Sequence, residues 1–406
     1  MARAGQARSR GAHLTDHVAL GVLTSVFPRP AVAAAIDAAG ARGQRSRVLT
    51  AELTAYYTLG CALWQQESHE EVWEQLTEGL AWLDDAEAGE DYMPASSSIS
   101  EAKERLGSQA LRLLFEHAAV PLAGEGTVGG GMAGAWWRGR RKVAVDGFVL
   151  DAQDSPGNRA VLGGPSNGTG PGPFPQARVV AAAECGTGSI LGARAGGYVI
   201  SEIALFREMV AAGTLGLGMI VILDRNFLSY EDYAAVAATG ADSVWRASAS
   251  FALPVIEALA DGSWISQLRP PRGHDGKPVR VRVAEYTIDS TDGNPSEVFC
   301  LVTSLLDPAD ASAEELAGLY ADRWTSETVF RCIKTAQRGG AEVVLRSKKP
   351  DGVLQEIWAI LAVYQGLRHL ICQAAAAAGA DPWRIPFART LRAARRSAHG
   401  QAAFSP

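Results

Sequence analysis

The chain has 406 residues, 47% of them apolar and 20% charged. These are ordinary globular proportions, which exclude wholesale disorder, collagen and coiled coil and leave room for several domains or one large core with insertions. Five scattered cysteines (Cys61, Cys185, Cys300, Cys332, Cys372) include no CxxC pair, so a disulfide framework or cysteine-built zinc site is not expected and a reducing cytosol is. The net charge of −6 hides a segregation of acids into residues 67–91 and of bases into several clusters. It therefore excludes no phosphate-bearing partner, because screening confines charge effects to about 10 Å.

Residues 1–13 form a basic tail with no apolar segment of signal-peptide length behind it. Residues 14–122 read as an all-α domain. Thr15 and Asp16 can cap a first helix ending at Phe27–Pro28, and Pro30 suits the first turn of a second. Helical stretches follow at 50–66 and 70–83. Ser98 with Glu101 spells a capping box opening a helix that Gly107 would stop, and a last helix would reach Pro121. Such a bundle suits DNA reading, and equally a packing role with no DNA contact.

The glycine-rich residues 123–140 read as a linker. Then the texture changes to strands at 142–150, 179–183 and 189–193, with Gly186 and Gly188 as a hairpin turn and 163–176 as a loop. A helix over 201–212, a continuous apolar strand at 218–223, a helix over 229–239 and a strand at 242–246 follow. This order, in residues 141–246, is that of a ribonuclease-H-like α/β core. Residues 247–311 read as a β-rich inserted subdomain. Ser312 with Glu315 is a second capping box, opening a long helix to about Gln337. With a helix over 353–379 it completes the core (312–380), before a basic tail at 381–406. The most apolar stretches, 209–223 and 357–380, are too short or too interrupted for the roughly 20 residues of a membrane span. A soluble cytoplasmic protein without a membrane partner is expected.

Two aspartates stand where strands end. Asp146 follows the apolar run 143–145, and Asp224 follows the buried strand 218–223. Carboxylates on neighbouring buried strands repel each other unless a cation compensates them, and a divalent metal is the usual remedy. For each alone, capping of the next turn is the alternative. On the long helix, Tyr320, Arg323, Glu327 and Lys334 fall at roughly 0°, 300°, 340° and 320°, a polar stripe beside the apolar face. That stripe suits a metal ligand next to a phosphate groove; a solvated Arg323–Glu327 ion pair is the alternative. No HExxH or complete phosphate-loop motif is present.

The spacing Tyr320-x2-Arg323-x3-Glu327-x6-Lys334 resembles the YREK signature of DDE transposases of the insertion-element-four family. Asp146-Gly147, residues 154–158 (DSPGN), Asp224-Arg225-Asn226-Phe227 and the helical N-terminal region agree with it, so the resemblance runs from about residue 14 to 375. It implies that Asp146, Asp224 and Glu327 bind two Mg²⁺ ions, replaceable by Mn²⁺. It implies Tyr320, Arg323 and Lys334 as DNA-phosphate contacts. Phe299, standing where relatives carry a tryptophan, or Trp264 would stack on a flipped base; core packing is the alternative for both. The implied activity is cleavage at terminal inverted repeats in double-stranded DNA and strand transfer through a hairpin, by a homodimer in a synaptic complex at the nucleoid. The basic clusters 138–142 and 389–396 are further candidates for phosphate contacts. A metal-dependent nuclease without strand transfer, and an inactive DNA-binding relic, are the rival readings.

Overall fold

The computed structural model describes residues 21–43, 49–77, 93–124, 132–167, 170–248, 251–273, 275–288, 297–340 and 342–397. The expected helix starting at Thr15, the basic residues Arg3, Arg8, Arg10, Arg45 and Arg47, and much of the acidic segment and glycine linker lie outside them.

After a 3₁₀ turn at Gly21–Ser25 come α1 (Arg29–Ala38), α2 (Ala51–Leu63), α3 (His69–Thr77) and α4 (Ser96–Ala118). The capping box expected at Ser98 does not open α4, which starts two residues earlier behind Ala95 with no side-chain cap. Gly107 does break it: at φ 69° and ψ 171° it leaves helical geometry, a conformation open to glycine at little cost. The backbone groups freed there find partners far away in sequence. Gln355 Nε2 donates to the Lys103 and Gly107 carbonyls at 2.9 Å each, and Asp351 accepts from the Ser108 amide at 3.1 Å.

The second half begins with β1 (Trp136–Trp137) and β2 (Arg140–Asp151), so the linker ends before residue 136, earlier than expected. Then follow α5 (Pro156–Leu162), the two-residue strands β3 (Ser166–Asn167) and β4 (Gly170–Pro171), β5 (Gln176–Glu184), β6 (Ile190–Gly197), α6 (Glu202–Ala211), β7 (Met219–Leu223), α7 (Tyr230–Ala238) and β8 (Asp242–Ala247). β5 and β6 run antiparallel, and β7 and β8 parallel, in the sheet order β6-β5-β2-β7-β8. This is the ribonuclease-H-like core read from the element order.

The insertion is not a separate subdomain. Its strands β9 (Glu257–Ala258), β10 (Trp264–Leu268), β11 (Val279–Ile288) and β12 (Glu297–Thr303) continue the same sheet beyond β8, in the order β8-β12-β11-β10-β9. β12 thereby satisfies an edge of β8 that would otherwise expose unpaired backbone groups. The insertion also anchors the segment that follows it. Fully buried Arg282 pairs with Asp261 at 2.5 Å, and Asp261 in turn accepts from the Ala313 amide at 2.9 Å.

That amide opens α8 (Ala313–Ala321), whose capping box of Ser312 and Glu315 forms as read. The single long helix does not. α8 stops at Asp322, α9 runs Trp324–Arg331, and Cys332–Gln337 winds as a π-helical segment. Asp322 and Arg323 keep right-handed helical angles across the break, which preserves the phase of the polar stripe. α10 (Pro350–Ala378) begins with proline in its first turn and ends at left-handed Gly379. The expected basic tail is in part a helix, α11 (Phe387–Ser397), seated by buried Phe387, Leu391 and Ala394.

The N-terminal helices do not stand apart as a self-contained bundle. One apolar cluster joins α1, α2 and α4 to α10, α11 and the face of β2, β5 and β6. Phe115 of α4 packs on Trp358 of α10 with ring centroids 5.6 Å apart. Gln337, in the π segment, donates to the carbonyl of Ile360 in α10 at 2.9 Å. Among the described residues, no helix is long and apolar enough to cross a membrane.

Candidate active site

The parallel ladder between β2 and β7 pairs Val143 with Val221, Ala144 with Ile222 and Val145 with Leu223. One residue on, the same register brings Asp146 and Asp224 to adjacent positions, about one strand spacing (~4.8 Å) apart. Asp146 is not at the end of its strand, since β2 continues to Asp151 against β5. It is only half-buried, because β7 stops beside it. Along β2, Ala144, Asp146 and Phe148 share one face. Ala144 lies in the cluster of Leu316, Leu319 and Tyr320, and Phe148 packs on Phe330 of α9 with centroids 4.5 Å apart. Those flanking contacts aim Asp146 at the α8–α9 break.

Two side chains from that break meet the aspartates, and one of them also holds Glu327. The Tyr320 hydroxyl donates to Asp224 at 3.3 Å. Arg323 donates through Nη1 to Asp146 at 3.3 Å and through Nη2 to Glu327 at 2.9 Å. The Asp224 carboxylate makes no cap bond to the 3₁₀ turn that follows it, which removes the capping alternative. Arg323 with Glu327 is an i,i+4 pair, yet its second prong goes inward to the sheet, so it is more than a solvated helix pair. The Lys334 ammonium lies 5.4 Å from the centre of the Phe148 ring.

The charges are out of balance here. Burial, opposed by the Gly147 amide and Arg323 but reinforced by Asp224 and Glu327, raises the Asp146 carboxyl above its usual range. Burial works against the Arg323 charge, but Tyr320 and the three carboxylates outweigh it and raise its pKa. Burial, then Arg338, depresses Lys334, with Asp146 and Asp151 acting the other way.

Among the described residues, no three of His, Cys, Asp and Glu close on one point as a formed ion cage. The fit to a metal rests on the donor set and its stand-in. All three acids offer hard carboxylate oxygens, which suit Mg²⁺ or Mn²⁺. Between Asp146 and Glu327 stands a cation already, the Arg323 guanidinium.

The two proposed stacking residues part company. Phe299 lies beside the site: its ring stacks on Tyr286 at 5.2 Å, has the Arg246 guanidinium 4.1 Å over it, and is 6.3 Å from the ring of Tyr320. Trp264 is on β10, four strands from β7 in the sheet, with its indole N–H donated to the Leu253 carbonyl at 3.2 Å. It packs in the insertion rather than at the site. The basic cluster at 138–142 is also spent internally. Arg138 pairs with Glu315, Arg140 with Asp242, Arg141 with Glu184 and Lys142 with Asp322.

Sequence reasoning missed two neighbours of the site. Arg246 was read only as part of a strand. Glu202, the first residue of α6, lies against Gly147; burial, then Asp146 and Asp224, push its carboxyl above the usual range, with Arg178 opposing. Its only sequence signal, an acid in the first turn of a helix, reads as a partner for the helix dipole.

Residues 137–365 match the family model described as the transposase DDE domain, and residues 17–116 match the insertion element 4 transposase N-terminal model. The chain belongs to the insertion-element-four family of DDE transposases. Over 342 residues it is 26% identical to the transposase InsG for insertion sequence element IS4 of Escherichia coli (strain K12), covering 80% of this chain and 70% of that one. Among solved structures, the piggyBac transposase synaptic complex with hairpin DNA is similar at a TM-score of 0.49 and 9% identity, covering 94% of this chain and 80% of that chain. Membership makes this transposase a DNA-binding, divalent-metal-dependent protein of DNA transposition.

Proposed function

We propose that this transposase binds the terminal inverted repeats of its element, cuts them and joins the freed 3′ ends to target DNA, as a homodimer. The reading is supported by two sets of contacts: Arg323 bonds both Asp146 and Glu327, and the Tyr320 hydroxyl donates to Asp224. The three carboxylates would hold two Mg²⁺ ions, or Mn²⁺ in their place. Such ions, when bound, make a water nucleophilic near neutral pH and stabilise a leaving 3′ oxygen in an in-line displacement at phosphorus.

The protein's own groups do the rest. Arg323, a planar fork, would grip the scissile phosphate, its present carboxylate partners being those that would hold the ions. Lys334 supplies a point charge further along the strand, and the Tyr320 hydroxyl fixes Asp224. A freed 3′-OH can then attack the opposite strand to close a hairpin. Phe299, with Tyr286 and Arg246 around it, would receive the base that leaves the stack. Arg389, Arg392 and Arg396, spaced i, i+3, i+7 on α11, are exposed and have no ion-pair partner among the described residues. They offer the flanking DNA backbone a basic stripe.

The test supplies an end with a 3′-OH and a supercoiled target, in Mg²⁺ and in Mn²⁺. Joined product is expected. Cutting without joining would make the protein a nuclease, and a mobility shift without cutting would make it a relic. Glu327→Gln should abolish cutting and leave the shift nearly intact; continued cutting by this variant would refute the assigned site.

A further inference from the structure

Glu202 is placed where an ordinary first-turn glutamate has no reason to be. Ser201 caps α6, its hydroxyl accepting from the Ala204 amide at 3.1 Å, and Leu205, Phe206, Met209 and Val210 bury the helix against the sheet. These four share a cluster with Val143 and Val145 of β2. By alternation along the strand, Gly147 is the next residue on that face. The Glu202 side chain lies over it: a Cβ built on Gly147 would come within 2.9 Å of the Glu202 carboxyl carbon, and closer still to Oε1. The bare backbone of Gly147, next to Asp146, is thus what admits the carboxylate.

Once there, it is compensated only at a distance, by Arg178. Among the described residues Glu202 takes part in no hydrogen bond or ion pair, although it is only partly exposed. The nearby cation, Arg178, is occupied elsewhere, donating to the Ile200 carbonyl at 2.7 Å and lying 4.6 Å over the Tyr198 ring. A glutamate serving the helix dipole alone would swing to water, where it costs nothing. This one lies over the Gly147 backbone, one residue from Asp146, where the charges of Asp146 and Asp224 act against its own, and like charges in a half-buried site destabilise one another unless positive charge arrives.

We propose that Glu202 is a fourth carboxylate of the catalytic pocket, helping to hold the divalent ion between Asp146 and Asp224 from the α6 face of the sheet. The proposal rests on the metal-binding reading of Asp146 and Asp224. It adds a residue from an element on the opposite face from α8 and α9, so the ion would be approached from both sides of the sheet.

The experiment is Mn²⁺ titration of the full chain without DNA, read by the electron paramagnetic resonance of free Mn²⁺, with circular dichroism as the folding control. Glu202→Gln keeps the shape over Gly147 and removes the charge. It should weaken Mn²⁺ binding by about 10-fold or more, whereas Glu202→Asp, which keeps the charge, should lose less. Asp224→Asn calibrates the loss expected of a primary ligand. If Glu202→Gln binds Mn²⁺ like the unaltered chain while Asp224→Asn does not, Glu202 only fills space and the proposal falls alone. If neither Asp146→Asn nor Asp224→Asn changes the titration, the metal site itself falls, and Glu202 with it.

Discussion

Arg323 and Glu327, one helical turn apart, are joined at 2.9 Å, and the free prong of the same guanidinium reaches Asp146 across the α9–β2 interface at 3.3 Å. One organic cation thus spans two of the three acids proposed to hold metal. The resting pocket is assembled by Arg323 and would be reassembled when metal and DNA arrive.

Arg323→Lys should therefore fail despite keeping the charge. A lysine ammonium is a single point and cannot bridge two carboxylates or grip a phosphate with two prongs. Cleavage is expected to fall by about 10²-fold, the order of losing an aimed donor at the reacting centre. Single-turnover nicking of an end substrate measures this. Equal rates for Arg323→Lys and the unaltered chain would show that bridging is not the role of Arg323.

Phe299→Ala should lower the yield of hairpin ends while first-strand nicking proceeds. A base stacked on an aromatic ring gains about 1–3 kcal/mol, and the Phe299 ring lies beside Tyr320. Denaturing electrophoresis separates nicked from hairpin product, and an unchanged ratio of the two would end the stacking role. Trp264→Phe serves as the control that should leave the ratio alone.

Charge removal on α11 should act on every DNA sequence alike. Replacing Arg389, Arg392 and Arg396 together by Gln should flatten the dependence of log affinity on log salt by about 2–3 units of slope, since each phosphate contact contributes roughly 0.9. Discrimination between inverted-repeat and random DNA should persist. A slope identical to that of the unaltered chain would place α11 away from the DNA.

The N-terminal region should loosen in acid through His69. Burial, then Lys103 and Arg346, hold its pKa down at about 4, and Nδ1 sits 2.7 Å from the Tyr57 hydroxyl. The unfolded chain, with a histidine near 6.5, binds the proton more readily than the folded one. The stabilisation is therefore complete above pH 6.5 and is lost as pH falls toward 4, up to about 3 kcal/mol for such a shift. Thermal melting between pH 7 and 4.5 should show a Tm decline that shrinks in His69→Gln. An equal decline in both would assign the acid sensitivity elsewhere.

Local chemistry made much of this protein legible. Ser312 with Glu315 opens a helix where it was read, because a cap depends on a few neighbouring residues. Buried strands such as β7 show as unbroken apolar runs for the same short-range reason. The four polar residues from Tyr320 to Lys334 keep one face even though the helix carrying them is broken and ends in a π turn. Neither the break nor the π turn has a proline or glycine to announce it; they follow from packing, with Gln337 bonded to α10.

What the chain's order of residues determined, then, was which side chains carry chemistry and which elements bear them. Only the tertiary structure decided who meets whom. It paired Asp146 with Asp224 through the register of two strands, spent the basic residues 138–142 on internal acids, merged the insertion into the core sheet and laid Glu202 over Gly147. Those outcomes depend on which surfaces lie within a few ångströms after folding, and electrostatic and hydrogen-bond energies fall away too steeply with distance for spacing along the chain to encode them.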